Sequence, residues 1–131
     1  MAAALDPTAR DLAQAPNFAT LSVILRSGRP MTHVMWVDAD DDYVLINTET
    51  HRAKFRAVER DPRVTVTIWQ RDDPYTYAEV RGQVVESVRG PEARAHIDRL
   101  SRKYRGKDYD DAAIRSERVI LRIAPEAVHL H

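Results

Sequence analysis

The alternation of apolar and polar positions predicts a chain built mainly of short strands. Residues 64–70 read Val-Thr-Val-Thr-Ile-Trp-Gln, and this period of two is typical of a strand with one face in a core. The other stretches with a strand-like pattern are 18–25, 30–37, 43–47, 75–87 and 118–123, and 127–131 extends the last of them. The first three strands follow one another closely, with 38–42 as an acidic turn, which predicts an antiparallel meander.

Three segments break the strand pattern and predict helices. Asp6 and Pro7 suit the N-cap and the first position of a short helix that ends before Pro16. Thr50 is placed to cap a second helix, which the proline at 62 stops, because the residue before a proline is driven out of the helical region. The predicted helices span about 7–15, 51–60 and 91–104.

Gly82 lies inside the longest predicted strand, where a glycine is typical of a bulge or a bend. Bends allow a sheet to curl, and six or seven strands joined by short turns favour a small barrel. The length of 131 residues suits one hydrophobic core. We therefore predict a mainly β fold with two or three helices, in one domain that covers 1–131.

Composition and charge exclude several classes of function. Twenty basic residues balance twenty acidic ones, whereas a nucleic-acid binder is expected to be basic overall. The absence of cysteine excludes disulfides, zinc–thiolate sites, iron–sulfur clusters and thiol catalysis. No apolar run approaches the roughly 18 residues of a membrane span, and the N-terminus lacks the pattern of a secretory signal, so we expect a cytoplasmic protein. The five histidines show no paired metal spacing, so we expect no metal site.

The segment from 47 to 64 carries the main candidate chemistry. A strand ends there in hydroxyl residues and runs into a helix start, whose unpaired N–H groups attract anions. Thr48 and Thr50 add hydroxyl donors, while Arg52 and Lys54 add positive charge, a set that is typical of a phosphate site. The alternative is a capped helix with a solvated cationic face. The arginines at four-residue spacing on that face are Arg52, Arg56 and Arg60.

The strand over 30–37 is a second candidate. Its period of two places Thr32, Val34 and Trp36 on one face, with Met31, His33 and Met35 on the other. Such side chains can line a flat aromatic ligand, or they can belong to a core strand with one hydrogen-bonded histidine. Trp69, at the end of its strand, presents the same two alternatives.

These residues together resemble a known family. The hairpin at Gly28-Arg29-Pro30, the segment from Thr48 to Lys54 and the run Arg60-Asp-Pro-Arg-Val precede a long strand in the order seen in flavin/deazaflavin oxidoreductases. That family has the pyridoxamine 5′-phosphate oxidase-like split β-barrel fold. The resemblance covers 18–123 and is strongest to the actinobacterial branch that uses the deazaflavin coenzyme F-420.

The resemblance implies a split β-barrel of six to seven antiparallel strands, and a homodimer with two cofactor clefts at its interface. It also implies roles for individual residues. Phosphate contacts would come from Thr48, Thr50, Arg52 and Lys54. The cofactor ring would lie over Thr32, Val34, Trp36, Ile46 and Asn47. Trp69 and His129 would reach the site from the partner subunit.

The activity implied is hydride transfer between the deazaflavin and a planar conjugated or electron-poor small molecule. The cofactor carries that chemistry, so no protein nucleophile is needed. His33, Tyr75 or solvent would supply a proton. Arg56 and Arg60, in line with Arg52, would meet the acidic tail of coenzyme F-420, which favours the deazaflavin over flavin mononucleotide (FMN). The alternatives are an FMN-dependent oxidoreductase of the same fold, or a non-catalytic protein that binds a flavin, a deazaflavin or a tetrapyrrole.

Overall fold

The computed structural model describes residues 4–131, which form three α-helices, one short 3-10 helix at Asp111–Ala113 and seven β-strands. The helices are α1 (Pro7–Gln14), α2 (Ala53–Arg60) and α3 (Pro91–Arg105). The strands are β1 (Phe18–Ile24), β2 (Pro30–Trp36), β3 (Asp38–Ala39), β4 (Val44–Glu49), β5 (Arg63–Gln70), β6 (Asp73–Arg89) and β7 (Arg118–Leu130). The prediction of a mainly β fold with six to seven antiparallel strands and two to three helices is confirmed.

All seven strands belong to one antiparallel sheet in the order β2-β1-β5-β6-β7-β4-β3. The two edge strands are nevertheless joined by a single residue, the fully buried Val37, between Trp36 and Asp38. Because one residue spans only about 3.5 Å, the two edges must lie side by side, and the sheet is curled into a half-barrel. The cleft described below lies next to this junction.

The interior of the half-barrel is apolar and contains alternate residues of each strand. On β1 the buried residues are Ala19, Leu21 and Val23, and their side chains pack against those of β5 and β7. Helix α2 contributes Phe55 and Val58 to the same core. Within residues 4–131, no helix is both long enough and apolar enough to cross a bilayer.

The predicted meander is wrong at its third strand. β4 pairs with β3 and β7 instead of with β2, and Asp38–Ala39, expected to be part of a turn, forms the short strand β3. The turn is tighter than predicted, because Oδ1 of Asp40 accepts hydrogen bonds from the N–H groups of Asp42 and Tyr43. β7 pairs with β4 along its whole length, and this non-local pairing decides where β4 lies.

Two local predictions, an irregularity at Gly82 and a helix cap at Thr50, have opposite outcomes. Gly82 is a site of irregular pairing, since the register between β6 and β7 shifts between Arg81 and Gly82, as predicted. The predicted capping by Thr50 is wrong: α2 begins at Ala53, and the residue at the N-cap position is Arg52, whose side chain makes no capping bond. The N–H of Thr50 instead donates to the carbonyl oxygen of Glu117, which continues the pairing of β4 with the segment before β7.

Candidate functional site

A cleft of about 350 Å³ opens where β2, β4, the start of α2, the end of α3 and the start of β7 meet. One of its walls is aromatic and apolar, with Phe18, Val34 and Trp36 from the outer face of β1 and β2. A second wall is cationic and meets the first at Arg105, whose guanidinium lies over the ring of Trp36 at 5.0 Å, and Asn47 and Thr48 of β4 also line the cleft. An apolar wall facing a few converging polar groups is the usual form of a small-molecule site.

The aromatic wall continues as a row of packed rings. Trp36 stacks on Tyr104 of α3 with centroids 5.1 Å apart and an interplanar angle of 6°, and Tyr109 meets its edge at 6.3 Å. Phe18 packs on Tyr104 at 5.6 Å and on Trp69 at 6.5 Å. Because these rings support one another, Trp36 is held in a fixed position beside the cleft.

The cationic wall consists of Arg52, Lys54, Arg105 and Arg118. Within residues 4–131, only Arg118 among these four has a carboxylate within 4.0 Å. The Nζ of Lys54 donates only to the Sδ of Met35, a weak acceptor, at 3.5 Å. Burial, followed by the charges of Arg52 and Arg118, lowers the pKa of Lys54 below its usual value. The wall therefore holds positive charge that the chain itself leaves uncompensated.

Arg118 and Glu49 form a buried ion pair, with Nη1 to Oε2 at 3.3 Å. The other oxygen of Glu49 accepts hydrogen bonds from the N–H groups of Arg115 and Ser116, at 2.7 and 2.8 Å. Burial alone would raise the pKa of Glu49, but these two hydrogen bonds and the charge of Arg118 lower it below its usual value. Glu49 is thus an ionised group committed to Arg118 and to the loop before β7.

A second cavity of about 480 Å³ adjoins the cleft and shares Arg52 and Tyr109 with it. His51 and Arg115 also line it, and the hydroxyl of Ser116 lies 2.6 Å from Nδ1 of His51. A ligand longer than the cleft could therefore continue past Arg52 towards Arg115, along a surface that also includes Glu49.

The structure brings together six of the residues predicted from the sequence for the site. They are Val34, Trp36, Asn47, Thr48, Arg52 and Lys54. Thr32 lies on the same face of β2 but outside the cleft, where its hydroxyl is 2.7 Å from that of Ser22. Ile46 is fully buried in the core. Thr50 follows β4 but does not line the cleft.

The other predicted residues lie elsewhere on the chain. Arg56 donates to the carbonyl oxygen of His51 at 3.1 Å, and Arg60 donates to that of Ile24 at 2.7 Å. Trp69 is separated from the cleft by Phe18. His129 lines a separate cavity on β6 and β7, while His33 and Tyr75 are exposed on β2 and β6. A role for Trp69 or His129 in a partner's cleft stays a prediction.

Sequence reasoning missed three polar residues of the cleft, namely Arg105, Tyr109 and Arg118. Only Arg118 left a signal in the sequence, because it is a charged residue that opens the otherwise apolar run Arg-Val-Ile-Leu of β7. A charge at that place is seldom buried unless it is paired or has a function. Arg105 and Tyr109 follow α3 and reach the cleft only through the fold.

Comparisons with known proteins agree with this architecture. A sequence model of the family described as pyridoxamine 5′-phosphate oxidase matches residues 5–131. The search of curated proteins found no match. The structure of an F-420 reductase is similar, with a TM-score of 0.83 and 28% identity, over 95% of this chain and 98% of that chain.

Two further solved structures share the fold at lower identity. A conserved hypothetical protein from Mycobacterium tuberculosis has a TM-score of 0.71 and 24% identity, over 97% of this chain and 84% of that chain. General stress protein 26 from Bacillus anthracis has a TM-score of 0.65 and 18% identity, over 92% of this chain and 88% of that chain.

Proposed function

Because this chain belongs to the pyridoxamine 5′-phosphate oxidase family of flavin- and deazaflavin-binding split barrels, we propose that it is an oxidoreductase dependent on coenzyme F-420. The reaction is hydride transfer between the deazaflavin and a planar conjugated or electron-poor small molecule. The observation that carries the proposal is the cationic wall of the cleft. Arg52, Lys54 and Arg105 face it without a carboxylate partner in residues 4–131.

The residues present fit a phosphate-bearing planar cofactor. Burial, followed by the charges of Arg52 and Arg118, lowers the pKa of Lys54, and an anion among these cations would relieve their mutual repulsion. Arg52 and Lys54 would hold the phosphate, with the hydroxyl of Thr48 beside them. Val34 and Trp36 would border the ring on its apolar side, and Asn47 also lines the cleft.

Coenzyme F-420 supplies the hydride chemistry when it is bound. The part of this chain is to bind and orient the cofactor and to exclude water from the apolar side of the cleft. The proton that accompanies hydride transfer would come from solvent or from a side chain. His33 and Tyr75, the candidates from the sequence, are outside the cleft of their own chain and would serve only a partner's cleft.

The choice of the deazaflavin over FMN rests on the space and the charge beyond the phosphate. The second cavity continues from Arg52 and adds Arg115, so an acidic tail would remain next to guanidinium groups. Arg56 and Arg60 are the other cations proposed for the tail, and their guanidinium groups donate to the main-chain oxygens of His51, before α2, and of Ile24, at the end of β1. FMN has no such tail and would leave this surface unused.

We also propose that the protein is a cytoplasmic homodimer. Several large apolar side chains are exposed in the isolated chain, including Val34 at 65% and Val85 at 55% exposed. Exposed apolar side chains beside a cleft are typical of a surface that a second copy covers. Sedimentation analysis should give twice the chain mass of 15.0 kDa. A monomer at micromolar concentration would contradict the dimer.

The test of function is a pair of titrations of the purified protein, one with coenzyme F-420 and one with FMN, followed through the fluorescence of its two tryptophans. Tight F-420 binding and weak FMN binding are expected, followed by oxidation of reduced F-420 in a screen of planar electron-poor substrates. Tight FMN binding alone would assign the protein to the flavin-dependent branch. Tight F-420 binding without turnover would favour a storage or sensing role, and binding of neither would refute the proposal.

A further inference from the structure

A chain of buried polar side chains crosses the protein from β3 to the cleft. Oδ2 of Asp38 lies 3.0 Å from Nε2 of His96, and Nδ1 of His96 lies 3.1 Å from Nδ2 of Asn47. Oδ1 of Asn47 then accepts from Nε of Arg118 at 2.8 Å. His96, Asn47 and Arg118 are 1%, 5% and 8% exposed. Four elements, β3, α3, β4 and β7, are connected in this way.

Only one arrangement of protons satisfies every link. A guanidinium nitrogen can only donate, so the atom of Asn47 that faces Arg118 must be its carbonyl oxygen. The amide nitrogen of Asn47 therefore donates its two hydrogens, one to the carbonyl oxygen of Ala93 and one to Nδ1 of His96. Nδ1 of His96 is then the acceptor, and Nε2 carries the hydrogen that is donated to Asp38.

This arrangement fixes the orientation of the Arg118 guanidinium. Nε is held by Asn47, Nη1 faces Glu49 at 3.3 Å, and the group lies over the ring of Tyr109, with Cζ 5.3 Å from the ring centroid. Nη2 makes no hydrogen bond within residues 4–131, although Arg118 lines the cleft beside Lys54 and Arg52. A planar guanidinium held at two nitrogens presents its remaining donors in a fixed direction.

The burial of the Arg118 guanidinium is unfavourable when only the free energy of folding is considered. Its guanidinium is removed from water and lies near two further cations, while Glu49 compensates only one charge. Buried ion pairs often contribute little net stability, so a buried cation in a cationic wall needs another reason. A bound anion supplies one, because it is attracted to all three cations in a site of low dielectric constant.

We propose that Arg118 binds the phosphate of the cofactor together with Arg52 and Lys54, and that His96 and Asp38 are positioning residues that act on Arg118 through Asn47. This inference rests on the proposed function, since it assigns a further ligand of the same site. His96 is separated from the phosphate by Asn47 and Arg118 and does not line the cleft. Its contribution is to hold the amide of Asn47 in the one orientation that accepts from Arg118.

The test compares ligands with and without a phosphate. Dissociation constants are measured for FMN and riboflavin, and for coenzyme F-420 and the same deazaflavin without its phosphate and tail. The ratio of the two constants within a pair is the phosphate preference. Loss of a charge-assisted contact in Arg118→Met should reduce this preference by about 10-fold or more, and His96→Leu should reduce it by about 3-fold or more.

The matched control is Ser101→Ala, because Ser101 is a fully buried polar residue of α3 whose hydroxyl has no hydrogen-bond partner within residues 4–131. It should leave the phosphate preference unchanged. A merely structural role for Arg118 or His96 would weaken both members of a pair equally and lower the melting temperature, without changing their ratio.

A measurement on the unaltered protein serves if a variant fails to fold. The Nε–H resonance of Arg118 in an NMR spectrum should shift with FMN or F-420 and remain in place with the phosphate-free ligands. An unchanged phosphate preference in folded Arg118→Met, or an unmoved resonance, would overturn the assignment of Arg118. An effect in Arg118→Met but none in His96→Leu would overturn the positioning role, whereas wild-type protein that binds neither pair would refute the proposed function itself.

Discussion

The ammonium group of Lys54 on α2 lies 3.5 Å from the sulfur of Met35 on β2, so a charge meets a weak acceptor where two elements enclose the cleft. We expect Lys54→Ala to weaken binding of the phosphate-bearing cofactor by about 1–3 kcal/mol, because a charge-assisted hydrogen bond is lost. Titration by tryptophan fluorescence measures the change. The control is Arg99→Ala, which removes an exposed arginine of α3 outside the cleft. Equal cofactor affinities in the two variants would show that Lys54 does not bind the cofactor.

The lowered pKa of Lys54 also predicts proton uptake on binding. Burial and the neighbouring cations hold the pKa of Lys54 below 10.5, so at alkaline pH its neutral form is more populated than that of a free lysine. An anion in the cleft favours the ammonium form, and binding at pH 9 should therefore take up a fraction of a proton.

Calorimetric titration at pH 9 in two buffers of different ionisation enthalpy detects this uptake. The phosphate of FMN, with a second pKa of about 6, is already fully ionised there and does not obscure the result. Lys54→Met should abolish the difference between the buffers. Identical binding enthalpies in the two buffers for the wild-type protein would contradict the prediction.

The sequence predicts the strands well because their signal is local. The alternation over 64–70 and the glycines at 28 and 82 are signals of a few positions each, and the structure has a strand at the first, the turn between β1 and β2 at Gly28 and a register shift at Gly82. The location of β4 is not local in this sense. Its neighbour β7 begins at Arg118, about 70 residues after β4 ends at Glu49, and no nearby residue indicates that β7, and not β2, pairs with it.

The same distinction explains which part of the site the sequence predicts. Arg52 and Lys54 follow β4 within one short segment, so their proximity to Thr48 is evident from the order of residues. Arg118 and Tyr109 come from the far end of the chain and meet Lys54 only because β7 pairs with β4. Thr50 illustrates a local failure, since the N–H of Arg52 donates to the oxygen of Glu49 and this turn delays the helix start.

The hydroxyl of Tyr104 connects the residue before β1 to the residue between β2 and β3, and it should give an alkaline limit to stability. It donates to the carbonyl oxygen of Asn17 and accepts from the N–H of Val37 at 3.2 Å. Burial raises the pKa of Tyr104 to about 12, whereas an unfolded tyrosine titrates near 10. The folded state therefore binds this proton more tightly, and the associated stability is present below pH 10 and is lost as the pH rises towards 12.

Comparison of the wild-type protein with Tyr104→Phe measures this contribution. Allowing for the part of the side chain that stays in contact with water, we expect the stability difference between the two proteins to change by about 1–2 kcal/mol between pH 10 and 12. In the ultraviolet titration of the folded protein, one of the five tyrosines should ionise last, and it should be missing in the variant. Ionisation of all five near pH 10 without unfolding would disprove the raised pKa.

Gly82 is the position where the curl of the sheet tolerates no side chain. A Cβ atom built there would lie 2.0 Å from the carbonyl oxygen of Ala124 on β7, at the point where the register of β6 and β7 shifts. The obstacle is main chain, which cannot rotate away, so Gly82→Ala must displace one strand from the other. We expect a loss of about 2–4 kcal/mol in the free energy of unfolding, measured by urea denaturation.

The matched control is Ser87→Ala at an exposed position of the same strand, which should change stability by less than about 0.5 kcal/mol. Because β7 carries Arg118, Gly82→Ala should also weaken binding of the phosphate-bearing cofactor. A Gly82→Ala variant with the stability of the wild-type protein would contradict the prediction, since it would show that β6 and β7 separate there at little cost in free energy.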